Sequence, residues 1–372
     1  MEPQSSTCAT REGTERYRQR FQTTAAENHF RLEQDLYLSS IGIGTYLGNP
    51  DALTDQRYEA AIVRAVQLGA NVIDSAANYR FQRSERSIGK ALQQLVTRHD
   101  FNRDELVICT KGGYLPFDGD APRDVRAYIQ DTFVAPGIAG LGDFVGGSHC
   151  MTPAYLQNQL DQSLQNLGLE CIDVYYIHNP ESQLGEVPEA EFYLRLRNAF
   201  AMLEGNIKAG KIKMYGVATW NGFRQPAAAA EKHSLPKMVE LAQQVGGEDH
   251  GFRFIQLPFN LAMPEAMMLP NQMLNNEPVT LLAAAAALGV TVVSSASILQ
   301  GRVAHGLPDS VREPLGSLAT DALTAIQFVR STPGITTALI GMSNLKHVEE
   351  NMQLVHIEPA HREDFARLFA QA

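Results

Sequence analysis

Four glycines recur at the same point of a repeating unit. Gly69, Gly168, Gly210 and Gly289 each close an apolar stripe of helical spacing and each precede a short strand-like run. A helix that ends in the left-handed region favours glycine at its C′ position, because a Cβ there meets the backbone. The runs that follow are Asn71-Val-Ile-Asp74, Asp173-Val-Tyr-Tyr-Ile177, Lys213-Met-Tyr-Gly-Val217 and Thr291-Val-Val-Ser294. Further strands read at Ser40–Thr45, Leu106–Thr110, Phe254–Leu257 and Thr337–Ile340. That gives about eight short, nearly continuous apolar strands, the pattern expected when both faces of a parallel sheet are covered.

The intervening helices are legible by their stripes. Leu156, Leu160, Leu164 and Leu167 share one face, with Thr152 as N-cap and Pro153 in the first turn. Ser84 is placed to cap a helix carrying Ile88, Leu92 and Leu95. Phe192, Leu196, Phe200, Leu203 and Ile207 form a third stripe, and Leu281, Leu282, Ala285 and Leu288 a fourth. Eight strand–helix units in this length predict a (β/α)8 TIM barrel over residues 36–372. An open doubly wound sheet is the alternative, but Gly42-Ile-Gly44 with Gly48 has the wrong spacing for a dinucleotide fingerprint. Residues 1–35 read as a weakly ordered N-terminal extension. Two long connections, an insertion at 113–150 after strand three and a loop at 298–317 after strand seven, follow strands and so overhang the catalytic face of such a barrel. The 113–150 insertion is expected to fold over the mouth and form part of the substrate pocket.

Composition removes whole classes of function. The 372 residues carry 31 Lys and Arg against 41 Asp and Glu, a net charge of −10, with no basic run, which argues against a nucleic-acid partner. No apolar run approaches the roughly 18–20 residues of a membrane span, and the polar N-terminus does not read as a signal peptide. The four cysteines, Cys8, Cys109, Cys150 and Cys171, show no CxxC spacing. Read as buried free thiols, they imply a reducing, cytoplasmic setting.

Four polar residues fall at strand ends. Asp74 ends strand two with Tyr79 five residues on, Lys111 ends strand three, and His178 ends strand four. Neighbouring strands lie about 4.8 Å apart, so these side chains can meet. A cation beside a tyrosine favours the phenolate and lowers its pKa, which suits Tyr79 to act as general acid with Lys111 as its tuner. Asp74 would pair Lys111, and His178 would hydrogen-bond the oxygen that receives the proton. The cluster holds no strong nucleophile and no metal-ligand set. It suits a carbonyl that gains hydride on carbon and a proton on oxygen. A lyase using Lys111 as a Schiff base is disfavoured, because Asp74 would keep that amine protonated.

These residues carry a resemblance. Asp74-Ser-Ala-Ala-Asn-Tyr79 followed by Ser84-Glu-Arg-Ser-Ile-Gly89-Lys-Ala-Leu92, Lys111 closing strand three, and Asp173-Val-Tyr-Tyr-Ile-His178-Asn-Pro180 together resemble the aldo-keto reductase family, from about Ser40 to Gln353. The resemblance implies a catalytic tetrad of Asp74, Tyr79, Lys111 and His178, and NADP(H) across the C-terminal face. It implies an NADP-dependent oxidoreductase that reduces an aldehyde or ketone to an alcohol. Gln256 in Ile255-Gln-Leu-Pro-Phe-Asn260 would hold the nicotinamide carboxamide. Gly341, Ser343 and His347 would face the adenosine phosphate, aided by a helix N-terminus, and Glu350 and Asn351 the adenine.

The chain departs from the family pattern in three places. Ala218-Thr219 stands where Ser-Asn is usual, leaving Thr219 one donor. Ser295 replaces a ring that often stacks on nicotinamide, a role open to Trp220. Ser343, Asn344, Lys346 and His347 stand where a fixed Arg or Lys often meets the 2′-phosphate. NADP is favoured, with NAD as the alternative. A second function class also follows, a non-catalytic, redox-sensing nucleotide-binding protein on the same scaffold. The expected partner is a small carbonyl or alcohol, with no nucleic acid and no membrane.

Overall fold

The computed structural model describes residues 8–99, 101–229 and 232–370. Eight parallel strands close into a barrel: β1 (Ile41–Gly44), β2 (Val72–Asp74), β3 (Val107–Gly112), β4 (Ile172–His178), β5 (Ile212–Ala218), β6 (Phe252–Pro258), β7 (Thr291–Ser295) and β8 (Ile335–Gly341), with β8 returning to pair β1. All eight lie where the apolar runs predicted them. Helices α1 (Ala52–Gln67), α2 (Arg83–Arg98), α3 (Pro153–Leu167), α4 (Glu189–Lys208), α5 (Leu235–Gly246), α6 (Leu281–Ala287), α7 (Asp321–Ser331) and α8 (Leu345–Asn351) pack around it. The four glycines sit past their helices with φ of +111° (Gly69), +66° (Gly168), +74° (Gly210) and +66° (Gly289).

Two cores build the barrel. The larger lies between barrel and helices and takes Leu156 and Leu160 of α3 and Phe192, Leu196, Phe200 and Leu203 of α4. The smaller fills the barrel interior with Val72, Val107, Val174, Tyr176, Met214, Phe254 and Leu339. Gly216 is what lets β5 and β6 approach, since a Cβ there would lie 1.8 Å from the Phe254 carbonyl oxygen.

The N-terminal extension corrects the expectation of weak order, although residues 1–7 lie outside the described residues. A helix at Arg11–Arg20 is capped by Thr10, whose hydroxyl accepts from Gly13 N at 2.9 Å. An antiparallel hairpin follows, Phe30–Glu33 against Leu36–Ser39. Its Leu36 and Leu38, with Ala9, join the barrel's interior core and close the end opposite the strand C-termini. The cysteines also differ from expectation. Cys8 is disulfide-bonded to Cys171, across 163 residues of sequence, while Cys109 and Cys150 are free and buried. The inference of a reducing compartment rested on four free thiols and does not stand on this pair.

Ser84 is not a cap. Gln82, at φ +68°, precedes α2, and Ser84 lies within the first turn, its hydroxyl donating to Thr45 O at 2.8 Å. The 113–150 insertion forms its own small core of Leu115, Ile129, Phe133, Ala139 and Phe144 against Tyr155 of α3. Among the described residues no helix is long and apolar enough to cross a membrane.

Candidate active site

Parallel pairing brings the polar strand ends to one rim. Asp74 lies opposite Gly44 of β1 and Cys109 of β3, Lys111 opposite Tyr176 of β4, and His178 opposite Ala218 of β5. Lys111 is 1% exposed, and its Nζ donates to Asp74 Oδ2 and to Ser75 O, each at 2.6 Å. The same Nζ lies 5.0 Å from the centre of the Tyr79 ring. That ring meets His178 edge-on, with centroids 5.7 Å apart. The four residues foreseen as one cluster are therefore in contact range.

Three consecutive non-glycine residues after Tyr79 occupy the left-handed region: Arg80 (φ +49°), Phe81 (+58°) and Gln82 (+68°). Such backbone costs about 1–3 kcal/mol per residue and persists only where surroundings hold it. The restraints are visible. Arg80 is paired with Asp55 and donates through Nε to Asn49 O at 3.1 Å, and Phe81 O accepts from Gly119 N at 3.0 Å.

Burial dominates the electrostatics. It raises the Asp74 carboxyl, against the opposing pull of Lys111 and Gln256. It works against the Lys111 ammonium too, but Asp74 and Tyr79 outweigh it and the net shift is upward. The Tyr79 hydroxyl is also raised by burial, with Lys111 acting in the lowering direction but not prevailing. The expected net lowering of Tyr79 is thus corrected, since its desolvation exceeds the pull of the ammonium. His178 is pushed well below its ordinary value by burial, Lys111 and His149, so its imidazole is neutral.

A cavity of ≈750 Å³ opens over this cluster. Asp74, Tyr79, His178, Thr219, Gln256, Ser295, Gly341, Ser343 and His347 line it, joining nine of the twelve sequence-predicted site residues. Lys111 lies beneath, reaching it through Tyr79. Glu350 and Asn351 are not among the lining residues; Glu350 accepts from Thr320 Oγ1 at 2.7 Å, and Asn351 is buried. Gln256 has a second engagement, its Nε2 donating to Asp74 Oδ1 at 2.8 Å. Asn344 caps α8 by accepting from Lys346 N at 2.9 Å. A separate cavity of ≈550 Å³, lined by Arg31, Arg330 and Glu358, holds none of the tetrad.

Several wall residues carried no sequence signal. Tyr46 packs edge-on against Tyr79 at 5.0 Å, and Tyr114 against His178 at 5.1 Å. Tyr114 is the one residue of the 113–150 insertion in the lining. His149, at the insertion's far end, sits 2.8 Å from the His178 carbonyl oxygen through Nε2. Asn78, Asn179 and the Ile298–Gly301 turn also line the cavity.

Comparison with known proteins places the chain. A family model described as aldo/keto reductase family matches residues 40–245, more than half of the sequence. The L-glyceraldehyde 3-phosphate reductase of Escherichia coli K12 is 30% identical over 209 residues, 55% of this chain and 45% of that protein. The fission-yeast (Schizosaccharomyces pombe) aldo-keto reductase yakc [NADP(+)] is 27% identical over 177 residues, 47% of this chain and 41% of its own. The chain spans about half the length of these curated relatives. A solved aldo/keto reductase from Klebsiella pneumoniae, in complex with NADP and acetate, superposes with a TM-score of 0.61 over 92% of this chain and 94% of its own, at 19% identity, a likeness of fold. The closed barrel, the motif order along it and the family match converge, and the chain belongs to the aldo/keto reductase family.

Proposed function

We propose that this protein reduces an aldehyde or ketone to the alcohol with NADPH, Tyr79 giving the proton. The observation that carries this is the buried contact of Lys111 with Asp74 at 2.6 Å directly beneath the Tyr79 ring. The cavity fits a nicotinamide cofactor on its own evidence. Thr219 lines it with a buried hydroxyl oxygen that has no partner, and a buried polar group left unpaired is costly unless a ligand meets it. Thr219, Gln256 and Ser295 would hold the nicotinamide end, and Gly341, Ser343 and His347 the adenosine phosphate end. When bound, the reduced cofactor supplies hydride to the carbonyl carbon.

The chain's own residues manage the proton. Tyr79, kept protonated by burial, donates O–H to the carbonyl oxygen as negative charge grows there. The neutral His178 imidazole donates a hydrogen bond to the same oxygen and fixes its position. Lys111 stabilises the phenolate left behind, and Asp74, itself held by Gln256, keeps the ammonium in place. Among the described lining residues there is no Lys or Arg. Around Tyr79 and His178, where the carbonyl would sit, Tyr46 and Tyr114 pack against the two rings, so an uncharged carbonyl fits there better than the phosphorylated aldehyde named for the E. coli relative.

Fluorescence titration with NADPH and NADH, followed by turnover on uncharged and anionic carbonyls, tests this. Tighter binding of NADPH with turnover on uncharged carbonyls is expected. Binding without turnover on any carbonyl would leave a nucleotide-binding protein and refute the catalytic proposal.

A further inference from the structure

We propose that Glu181 and His233 form a positioning pair that fixes the turn after β5, and through it the Thr219–Trp220 wall of the cavity. Glu181 stands in the short turn Pro180–Gln183 directly after β4. The chain bends there at Asn179 (φ +43°), whose N–H donates to Ala218 O at 2.6 Å. That bend points the Glu181 carboxylate at the segment after β5. Its Oε1 accepts from three successive amides, Trp220 N at 2.6 Å, Asn221 N at 2.9 Å and Gly222 N at 3.4 Å. Successive N–H groups converging on one anion form a nest, here filled from within the chain.

His233 closes the other side. It is fully buried, and its Nε2 lies 3.3 Å from Glu181 Oε2. Its ring stacks on Phe192 at 5.5 Å and meets Phe223 edge-on at 5.5 Å. Its backbone N–H donates to Gly222 O at 2.7 Å. Gly222 makes room for this, since a Cβ there would lie 2.1 Å from His233 Cδ2. Burial alone would raise the Glu181 carboxyl, but His233 and the amides outweigh it and hold it below its ordinary value.

The turn matters because of what it carries. Thr219 is anchored from β6, its N–H donating to Gln256 O at 2.8 Å. The next three amides have the Glu181 carboxylate as acceptor. Removing it strips the amide anchor from Trp220, whose carbonyl keeps only a solvent-exposed bond from Arg224 Nη1 at 3.4 Å, a cavity-wall residue 42% exposed and the sole tryptophan of the chain. The effect on turnover rests on the cofactor and carbonyl function proposed above; the effect on Trp220 does not.

The test compares Glu181→Ala, Glu181→Gln and Gly222→Ala. Trp220 emission and its quenching by acrylamide are read on the nucleotide-free protein, then KM for NADPH and the carbonyl, and kcat. Glu181→Ala is expected to shift Trp220 emission to the red and raise its quenching. Both KM values should rise about 10-fold, with kcat changed less, the scale of a small misplacement at a binding wall. Glu181→Gln keeps an oxygen for the amides and should restore most of the KM and emission. Should Glu181→Ala not fold, Gly222→Ala, which forces His233 off the turn, is expected to give the same change in emission and KM. Wild-type emission and KM in the folded variants would overturn the proposal. Absence of turnover in the wild type would refute the function but leave the Trp220 comparison decisive for the pair.

Discussion

Replacing Lys111 by Met probes the buried Lys111–Asp74 pair as a piece of electrostatics. The substitution keeps a long side chain and removes the charge. Asp74, 4% exposed, would then retain a single side-chain donor, Gln256 Nε2 at 2.8 Å. Removing one partner of a buried ion pair costs about 3–5 kcal/mol, because the remaining charge stays desolvated. Asp74→Asn alone leaves Lys111 with Ser75 O and is costly for the mirror reason. Together the two changes remove both charges, and an Asn side chain still offers Gln256 an acceptor. The double variant should therefore be more stable than the sum of the single losses, with a coupling of about 2–3 kcal/mol. The pH dependence has a definite sign. Burial already raises Asp74, and without Lys111 it rises further, so the native state takes up a proton and the penalty shrinks as pH falls. Guanidinium unfolding of the four proteins at neutral and mildly acidic pH measures this. Additivity within about 0.5 kcal/mol, or a penalty independent of pH, would refute the buried-pair assignment.

Three further outcomes follow. His29 is fully buried between Ser40 Oγ (3.0 Å) and Gly69 O (2.9 Å), and burial with nearby Arg330 lowers it to about 3. The unfolded chain binds that proton near pH 6.5, so stability should fall by about 1.4 kcal/mol per pH unit as pH drops from about 6.5, and His29→Gln should flatten this slope in pH-dependent unfolding. Thiol titration in denaturant should count the two free cysteines before reduction and all four after, and Cys8→Ser should lower stability by up to about 4–5 kcal/mol, the loop-closure limit for so long a loop. Lys346→Ala should weaken NADPH binding at least about 3-fold more than NADH binding if Lys346 meets the 2′-phosphate, a contact of charged groups; equal loss for both nucleotides would remove that role.

The barrel was legible because its strands are buried on both faces and its helix ends are marked by glycine. The meeting of Asp74, Tyr79, Lys111 and His178 was legible because parallel strands deliver their last residues to one rim. The extension was not, although Phe30 and Leu32 alternate with polar residues, as do Leu36 and Leu38. The turn between them, Gln34-Asp35, takes φ of +49° and +61° without the glycine or asparagine that usually announces such geometry. The Cys8–Cys171 pair obeys no spacing rule, since the fold alone brings together residues so far apart. The net shift of Tyr79 depends on how much water is lost around it, a quantity set by what the fold packs against the ring, Tyr46 among it, rather than by local sequence. Glu181 and His233 lie 52 residues apart, and only the adjacency of β4 and β5 ends gives their meeting a reason.

The proton-donor role proposed for Tyr79 is tested most directly by Tyr79→Phe. NADPH affinity, read by fluorescence titration, and kcat for an uncharged carbonyl should be measured on the same preparation. A fall in kcat of about 100-fold or more with NADPH affinity within about 2-fold of wild type is the predicted result. Unchanged turnover in that variant would contradict it.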